Sequence, residues 1–411
     1  MSTNNSELIK LAESELKDVF TRIEQVEYVV QERIIEAFRS ERIAARHFNP
    51  TTGYGYDDEG RDTLDRLFAK AMCSEAALVV PQLSSGTHTL FAALSALLRP
   101  VDTLLCAAGQ PYDTLLEAIG IQGKASGSLA EFGVKYEQID LTEQGSIDMG
   151  RLSKALKIAP KVVYFQRSRG YAWRESLKPI DMQPAFELIK SVSPDSIIMV
   201  DNCYGEFTCT QEPTAFGADL IAGSLIKNPG GGIAHTGGYI AGRRDIIEAV
   251  ANRITVPGIG REAGCYPAGY LPYYQGLFIA PHTVAQALKT SALFARVFEL
   301  RGMQSMPASD SERSDIVQAL RFDNKQQLIE FCRVIQSVSP VDSFVVPEPW
   351  AMPGYTDEVI MAAGTFIQGA SIELTADAPI REPYTGYIQG ALTYGHGRYA
   401  VERVLDALDN M

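Results

Sequence analysis

The chain has 411 residues, 46% hydrophobic and 21% charged, which are globular values in a polypeptide too long for one small core. Its net charge of −13 argues against nucleic-acid binding, which requires a basic face. The N-terminus is acidic, and the longest apolar runs, Ala76–Pro81 and Ser196–Val200, are far too short to cross a bilayer, so neither secretion nor membrane insertion is expected. The six cysteines (73, 106, 203, 209, 265, 332) are scattered, which suits reduced thiols in a cytoplasmic protein. The five histidines (47, 88, 235, 282, 396) give no metal-ligand spacing, and no metal is expected.

Leu8, Leu11, Leu16, Val19, Phe20, Ile23, Val26, Val30 and Ile34 recur at helical spacing and predict one long amphipathic helix, with Asn4 and Glu7 as a capping-box variant at its start. Residues 47–61, rich in Gly and Tyr, predict an irregular loop. A helix follows, with Asp62 as N-cap and Leu64, Leu67, Phe68 and Ala71 facing inward. Short apolar strands are expected at 76–80, 103–107, 134–139, 161–166, 196–201, 219–224 and 237–242. Helices are expected at 86–98, 111–119, 148–157 and 181–192. This alternation predicts an α/β fold with a mainly parallel seven-stranded sheet covered on both faces. Only a Gly-rich loop joins the last two strands, so one of them is expected to run antiparallel. A long helix should run from Pro281 toward Arg301, with a smaller α/β region behind it. The expected division is an N-terminal helical segment (1–75), a large domain (76–285) and a small C-terminal domain (286–411).

Three features stand at the ends of predicted strands, where ligands bind in open α/β sheets. Ser84-Ser85-Gly86-Thr87-His88 opens a helix, and its free N–H groups and hydroxyls suit an anion such as phosphate. By itself this stretch reads equally as a routine helix cap. Val200-Asp201-Asn202 ends a buried strand, and an acid there needs a partner; a protonated pyridine nitrogen is one, a cap or a metal another. Gly223-Ser224-Leu225-Ile226-Lys227-Asn228-Pro229 runs into a glycine-rich loop, where desolvation would lower the lysine's pKa for imine formation. Together they give, in order, a phosphate loop, a pyridinium partner and a Schiff-base lysine. The separation between Asp201 and Lys227 is that of one strand-and-return unit.

This order resembles the aspartate-aminotransferase-type fold (fold type I) of pyridoxal 5′-phosphate enzymes. The segments GYGYDDEGR (53–61), SGTH (85–88), GQPYDT (109–114), QRSRGY (166–171), VDNCYGEF (200–207), GSLIKNPGGGIAHTGGYIAG (223–242) and REPYTGYIQGALTY (381–394) resemble a bacterial family. That family is methionine γ-lyase-like or cystathionine β-lyase-like and carries the name "aluminium resistance". The resemblance covers nearly the whole chain. It implies a carbon–sulfur lyase acting by β- or γ-elimination on a sulfur amino acid such as cystathionine or methionine, in a homodimer or homotetramer.

The resemblance also implies residue roles. Lys227 anchors the cofactor and moves protons, with Tyr112 assisting; Asp201 pairs with the ring nitrogen. Ser85, Gly86, Thr87 and Ser224 hold the phosphate, and Tyr112 stacks on the ring. Tyr54 or Tyr56, with Arg61, reaches the phosphate of a neighbouring subunit. Arg381 takes the substrate carboxylate, with Arg167 and Arg169 as alternatives. Better-known lyases carry S-x-T-K, whereas Ile226 stands before the lysine here, and Cys203 replaces a usual threonine. Other readings stay open: a different pyridoxal-phosphate reaction, such as aminotransfer or aldol cleavage, or a non-catalytic regulator on the same fold. Ser224-x-x-Lys227 also matches the S-x-x-K of penicillin-recognising enzymes, but no K-T-G or S-D-N string accompanies it.

Overall fold

A computed structural model describes residues 5–123, 126–352, 355 and 357–411. The N-terminal amphipathic stretch forms two helices, α1 (Asn5–Glu15) and α2 (Lys17–Ser40), where one was expected. The break is a single-residue bend at Leu16, and the Phe20 N–H still donates to Leu16 O at 2.9 Å across it. The buried face of α1 is Ile9 and Ala12, while Leu11 turns outward. Asn4 lies outside the described residues.

Helix α3 (Glu59–Ala71) begins earlier than expected. Its cap is Asp58, not Asp62: the Arg61 N–H donates to Asp58 Oδ1 at 2.9 Å, and the Tyr270 hydroxyl donates to Oδ2 at 2.5 Å. Asp62 instead accepts from Arg61 Nε. Leu64, Leu67, Phe68 and Ala71 are buried as their spacing requires.

The large sheet comprises β1 (Ala76–Val80), β2 (Thr103–Cys106), β3 (Lys135–Gln138), β4 (Val162–Gln166), β5 (Ile197–Asp201), β6 (Leu220–Ser224) and β7 (Gly238–Gly242). Their order is β1-β7-β6-β5-β4-β2-β3. β7 is antiparallel to both neighbours, and the other pairings are parallel. Helices α4 (Gly86–Leu97), α5 (Asp113–Ile119), α6 (Met149–Ala155), α7 (Pro179–Val192) and α8 (Arg244–Ile254) accompany the strands. The central strands β4 to β7 are buried along nearly their whole length, which is why they read as largely apolar runs with no polar alternation.

Helix α9 (Leu271–Leu300) starts ten residues before Pro281, which sits inside it. Burial of Tyr273, Tyr274 and Leu277 holds its first turns despite the missing N–H. It crosses the boundary expected at 285/286. Beyond it, β8 (Ser305–Met306), β9 (Val317–Arg321), β10 (Val359–Ala362), β11 (Thr375–Pro379) and β12 (Thr385–Gln389) form an antiparallel sheet in the order β10-β11-β12-β9-β8. Helices α10 (Lys325–Ser337) and α11 (Tyr394–Asp409) complete this region. Among the described residues no helix is long and apolar enough to cross a membrane.

Candidate active site

The parallel register of β4, β5 and β6 sets Gln166 beside Asp201 and Asp201 beside Ala222, so the carboxyl ends of three strands share one edge. Ser224 ends β6, and Lys227 follows within one turn. The start of α4 faces the same edge. A methyl group on Gly86 would stand 3.3 Å from Cys203 Sγ, 3.6 Å from Ser224 Cβ and 3.8 Å from Lys227 Nζ. These residues line a cavity of ≈ 370 Å³ with Ser85, Thr87 and Tyr112, closed on the C-terminal side by Gln368 and Gly369. That volume suits a small ligand, for which sites run from about 300 to 1,000 Å³.

Asp201 is buried, its Oδ1 accepting from the Cys203 N–H at 3.0 Å and its Oδ2 from the Tyr164 hydroxyl at 3.2 Å. Burial raises its pKa, against the opposing pull of Lys227 and these donors. The Lys227 ammonium lies 4.0 Å from the centroid of the Tyr204 ring. Tyr204 holds the left-handed conformation at φ +69°, pinned by Asn228 Nδ2, which donates to the Tyr204 carbonyl at 3.0 Å and to the Glu206 carbonyl at 3.0 Å. The expectation of a depressed lysine pKa is corrected. Burial does pull Lys227 down, but Cys203, Tyr204, Asp201 and Glu206 around it leave it above the ordinary lysine value.

The phosphate candidates have unspent capacity. Ser224 Oγ is buried with no hydrogen-bond partner among the described residues. Ser85 Oγ caps α4 by accepting from the His88 N–H at 3.0 Å, which leaves its own proton to donate. Thr87 Oγ1 lies 2.6 Å from Thr114 Oγ1. His88 and His235 are exposed. The lysine loop is pressed onto α9. A methyl on Gly230 would stand 1.7 Å from Leu225 O, and one on Gly276 would stand 2.4 Å from Gly230 O.

Beneath the cavity lies a polar network absent from the sequence reading. Asn202 Nδ2 donates to Glu212 Oε2 at 2.9 Å and to the Tyr239 hydroxyl at 3.1 Å, and Tyr239 donates to Glu206 Oε1 at 3.0 Å. Burial pushes the Glu206 carboxyl up to about 8. Arg167 is part of this network and donates to Asn202 Oδ1 at 2.5 Å and to the carbonyls of Gly205, Leu177 and Ser314. It lies wholly inside the protein.

A second cavity of ≈ 370 Å³ shares Tyr112, Gln166 and Gly170 with the first and is lined by Asp113, Arg169, Tyr355, Asp357 and Arg381. Arg381 is half-exposed there and donates to Asp357 Oδ2 at 2.8 Å. Arg169 donates to Met306 O at 2.6 Å and lies 3.6 Å from Asp315. Tyr112 and Tyr355 touch hydroxyl to hydroxyl at 2.9 Å. On the C-terminal sheet Asp377 pairs across from Tyr387 and accepts from Gln389 Nε2 at 3.3 Å. Its pKa rises to about 6 through burial, opposed by Gln389 and Lys227.

Tyr54 and Tyr56 stand elsewhere, exposed at the surface with ring centroids 5.5 Å apart. Arg61 is buried below them and holds their turn by donating to Gly55 O at 2.8 Å.

The methionine γ-lyase family model matches residues 5–409. A carbon–sulfur lyase involved in aluminium resistance from Clostridium novyi NT is 48% identical, with a TM-score of 0.95 over 98% of this chain and 96% of that one. A Listeria monocytogenes protein assigned as a cystathionine β-lyase involved in aluminium resistance is 47% identical, with a TM-score of 0.95 over 98% and 99% of the two chains. The pyridoxal-5′-phosphate-dependent protein YhfS of Escherichia coli, 18% identical, shares the fold at a TM-score of 0.61 over 95% and 97%. The residues present fit that cofactor. An unpartnered buried hydroxyl at Ser224 and the open start of α4 suit its phosphate, and Asp201 and Lys227 share the cavity with them. The chain belongs to the methionine γ-lyase family and is a pyridoxal 5′-phosphate-dependent carbon–sulfur lyase.

Proposed function

We propose that this enzyme cleaves a carbon–sulfur bond in a sulfur amino acid such as cystathionine or methionine, by β- or γ-elimination, with Lys227 and Tyr112 handling the protons. The observation that carries the reading is the convergence of the Lys227 ammonium, the Asp201 carboxylate and the start of α4 at Gly86 on one cavity. Pyridoxal 5′-phosphate, when bound, supplies the electron sink that makes an α-proton removable.

Ser85, Gly86, Thr87 and Ser224 hold its phosphate, Asp201 keeps its ring nitrogen protonated, and Tyr112 is the aromatic wall beside it. Lys227 would anchor it, and the free Lys227 amine would take the substrate's α-proton at Nζ. Tyr112 donates its phenolic proton to the departing sulfur. Elimination from the γ carbon needs a second proton transfer, which falls to Lys227. Arg381 takes the substrate carboxylate, exchanging its exposed partner Asp357 for it. A homodimer or homotetramer accounts for the exposed tyrosine pair, with Tyr54 or Tyr56 of one copy, braced by Arg61, completing the phosphate site of another.

The test is the Lys227→Ala variant, assayed for thiol and 2-oxo acid release from cystathionine and from methionine. Both products should fall by about a thousandfold or more. Release at the wild-type rate would remove the lysine from the mechanism.

A further inference from the structure

The two cavities meet at one wall, and that wall is built from phenols. Tyr112 faces both cavities, and Tyr355 faces the outer one. The Tyr171 ring packs between them, with centroids 6.4 Å from Tyr112, 5.9 Å from Tyr355 and 5.1 Å from Tyr387. Tyr387 is locked by its hydroxyl, which donates to Tyr171 O at 2.6 Å. Tyr355 arrives from the stretch between α10 and β10, far from Tyr112 in sequence, yet the two hydroxyls are 2.9 Å apart. Burial raises both phenols, and the Asp377 carboxylate raises them further. At neutral pH they are therefore proton donors, and a phenolate at Tyr112 would be short-lived without a donor in contact.

We propose that Tyr355 is a positioning residue that reprotonates Tyr112, so that the two phenols relay a proton from the outer cavity to the leaving sulfur. The relay rests on the lyase reading above. As the carbon–sulfur bond breaks, its electron pair leaves with sulfur, which takes the Tyr112 proton. The Tyr355 proton crosses the 2.9 Å hydrogen bond to Tyr112. Tyr355 recovers a proton from solvent in the outer cavity, matched by the proton that Lys227 gives back when it returns to its starting state, so the turnover is proton-neutral. No oxidant or further reactant enters. Removal of the α-proton by Lys227 does not use the relay, so the two steps separate experimentally.

The experiment compares wild type, Tyr355→Phe and Tyr112→Phe as full-length holoenzymes in deuterated buffer. It measures deuterium entry at the substrate α-carbon and thiol release. In Tyr355→Phe thiol release should fall about 10- to 100-fold with KM nearly unchanged, while exchange stays within about twofold. Phenylalanine keeps the packing against Tyr171, so a loss confined to one step reports the hydroxyl. A second readout needs no cofactor: with ring-¹³C tyrosine, the Tyr112 resonance of the apoprotein should move in Tyr355→Phe. Wild-type thiol release by Tyr355→Phe, an equal loss of exchange and release, or an unmoved Tyr112 resonance overturns the relay alone. A wild-type enzyme that exchanges the α-proton but frees no thiol overturns the lyase reading and the relay with it.

Discussion

The Lys227 ammonium rests 4.0 Å from the centroid of the Tyr204 ring, and Tyr204 reaches that position from a backbone conformation that side chains rarely adopt. The contact is a desolvated cation–π interaction, worth about 2 kcal/mol. Tyr204→Phe keeps the aromatic face and should retain near-wild-type kcat. Tyr204→Leu should lower kcat by up to about 30-fold with the fold intact by circular dichroism. Equal rates in the two variants would assign the ring no role at the lysine.

Ser224 Oγ has no hydrogen-bond partner among the described residues. Its removal therefore costs the bare chain no hydrogen bond. Ser224→Ala should leave apoprotein stability within about 0.5 kcal/mol of wild type while weakening pyridoxal phosphate binding about tenfold, the value of one hydrogen bond to a charged group. Urea denaturation of the apoprotein and absorbance titration with the cofactor measure the two. Destabilisation with unchanged affinity would move the phosphate site elsewhere.

The pH dependence of stability should carry the signature of Glu206. Its folded-state pKa of about 8 is raised chiefly by burial, whereas an unfolded glutamate titrates near about 4.3. The folded chain thus holds this proton more tightly. The resulting stabilisation is complete below about pH 4 and is lost as pH climbs to about 8. Glu206→Gln removes that loss, so urea midpoints of the cofactor-free variant should gain on wild type between about pH 5 and pH 8.5. Parallel pH profiles would mean that Glu206 is already ionised in the folded chain.

Arg167 and Arg381 should separate cleanly. Arg167 is fully buried, donating to Asn202 and three carbonyls and lying 3.8 Å from the buried Glu212 carboxylate, so Arg167→Ala should cost about 3–5 kcal/mol in chemical denaturation. The Arg381–Asp357 pair is half-exposed, and such pairs contribute about 0–1 kcal/mol. Arg381→Ala should therefore leave stability almost unchanged and raise KM for the amino acid. A stable Arg381→Ala enzyme with unchanged KM would shift carboxylate binding to Arg169.

What was legible in the sequence was local. Asp201, Ser224 and Lys227 each end or follow an apolar strand, and parallel pairing brings strand ends to one edge whatever the loops do. Asp377 was invisible because it sits in a separate antiparallel sheet whose register no short window reveals, and Tyr355 because it comes from the stretch ahead of β10 and meets Tyr112 only in three dimensions. The cap was expected at Asp62; Asp58 takes it instead, held by the distant Tyr270 hydroxyl, which no local pattern reveals. Pro281 looked like a helix start because its neighbours' burial against other elements is not a local property. The direction of the Lys227 shift failed for the same reason: burial was predictable, but the packing of Cys203 and Tyr204 around the amine was not.

The approach of Gly230 to Gly276 brings main chain against main chain, with no side chain between them to compress or swing. The lysine loop and α9 must then travel as one rigid body. Substrate entry accordingly has to come from parts that can yield, such as the Gln368–Gly369 rim, while the reactive amine keeps a fixed address on the helix that ties the two sheets together.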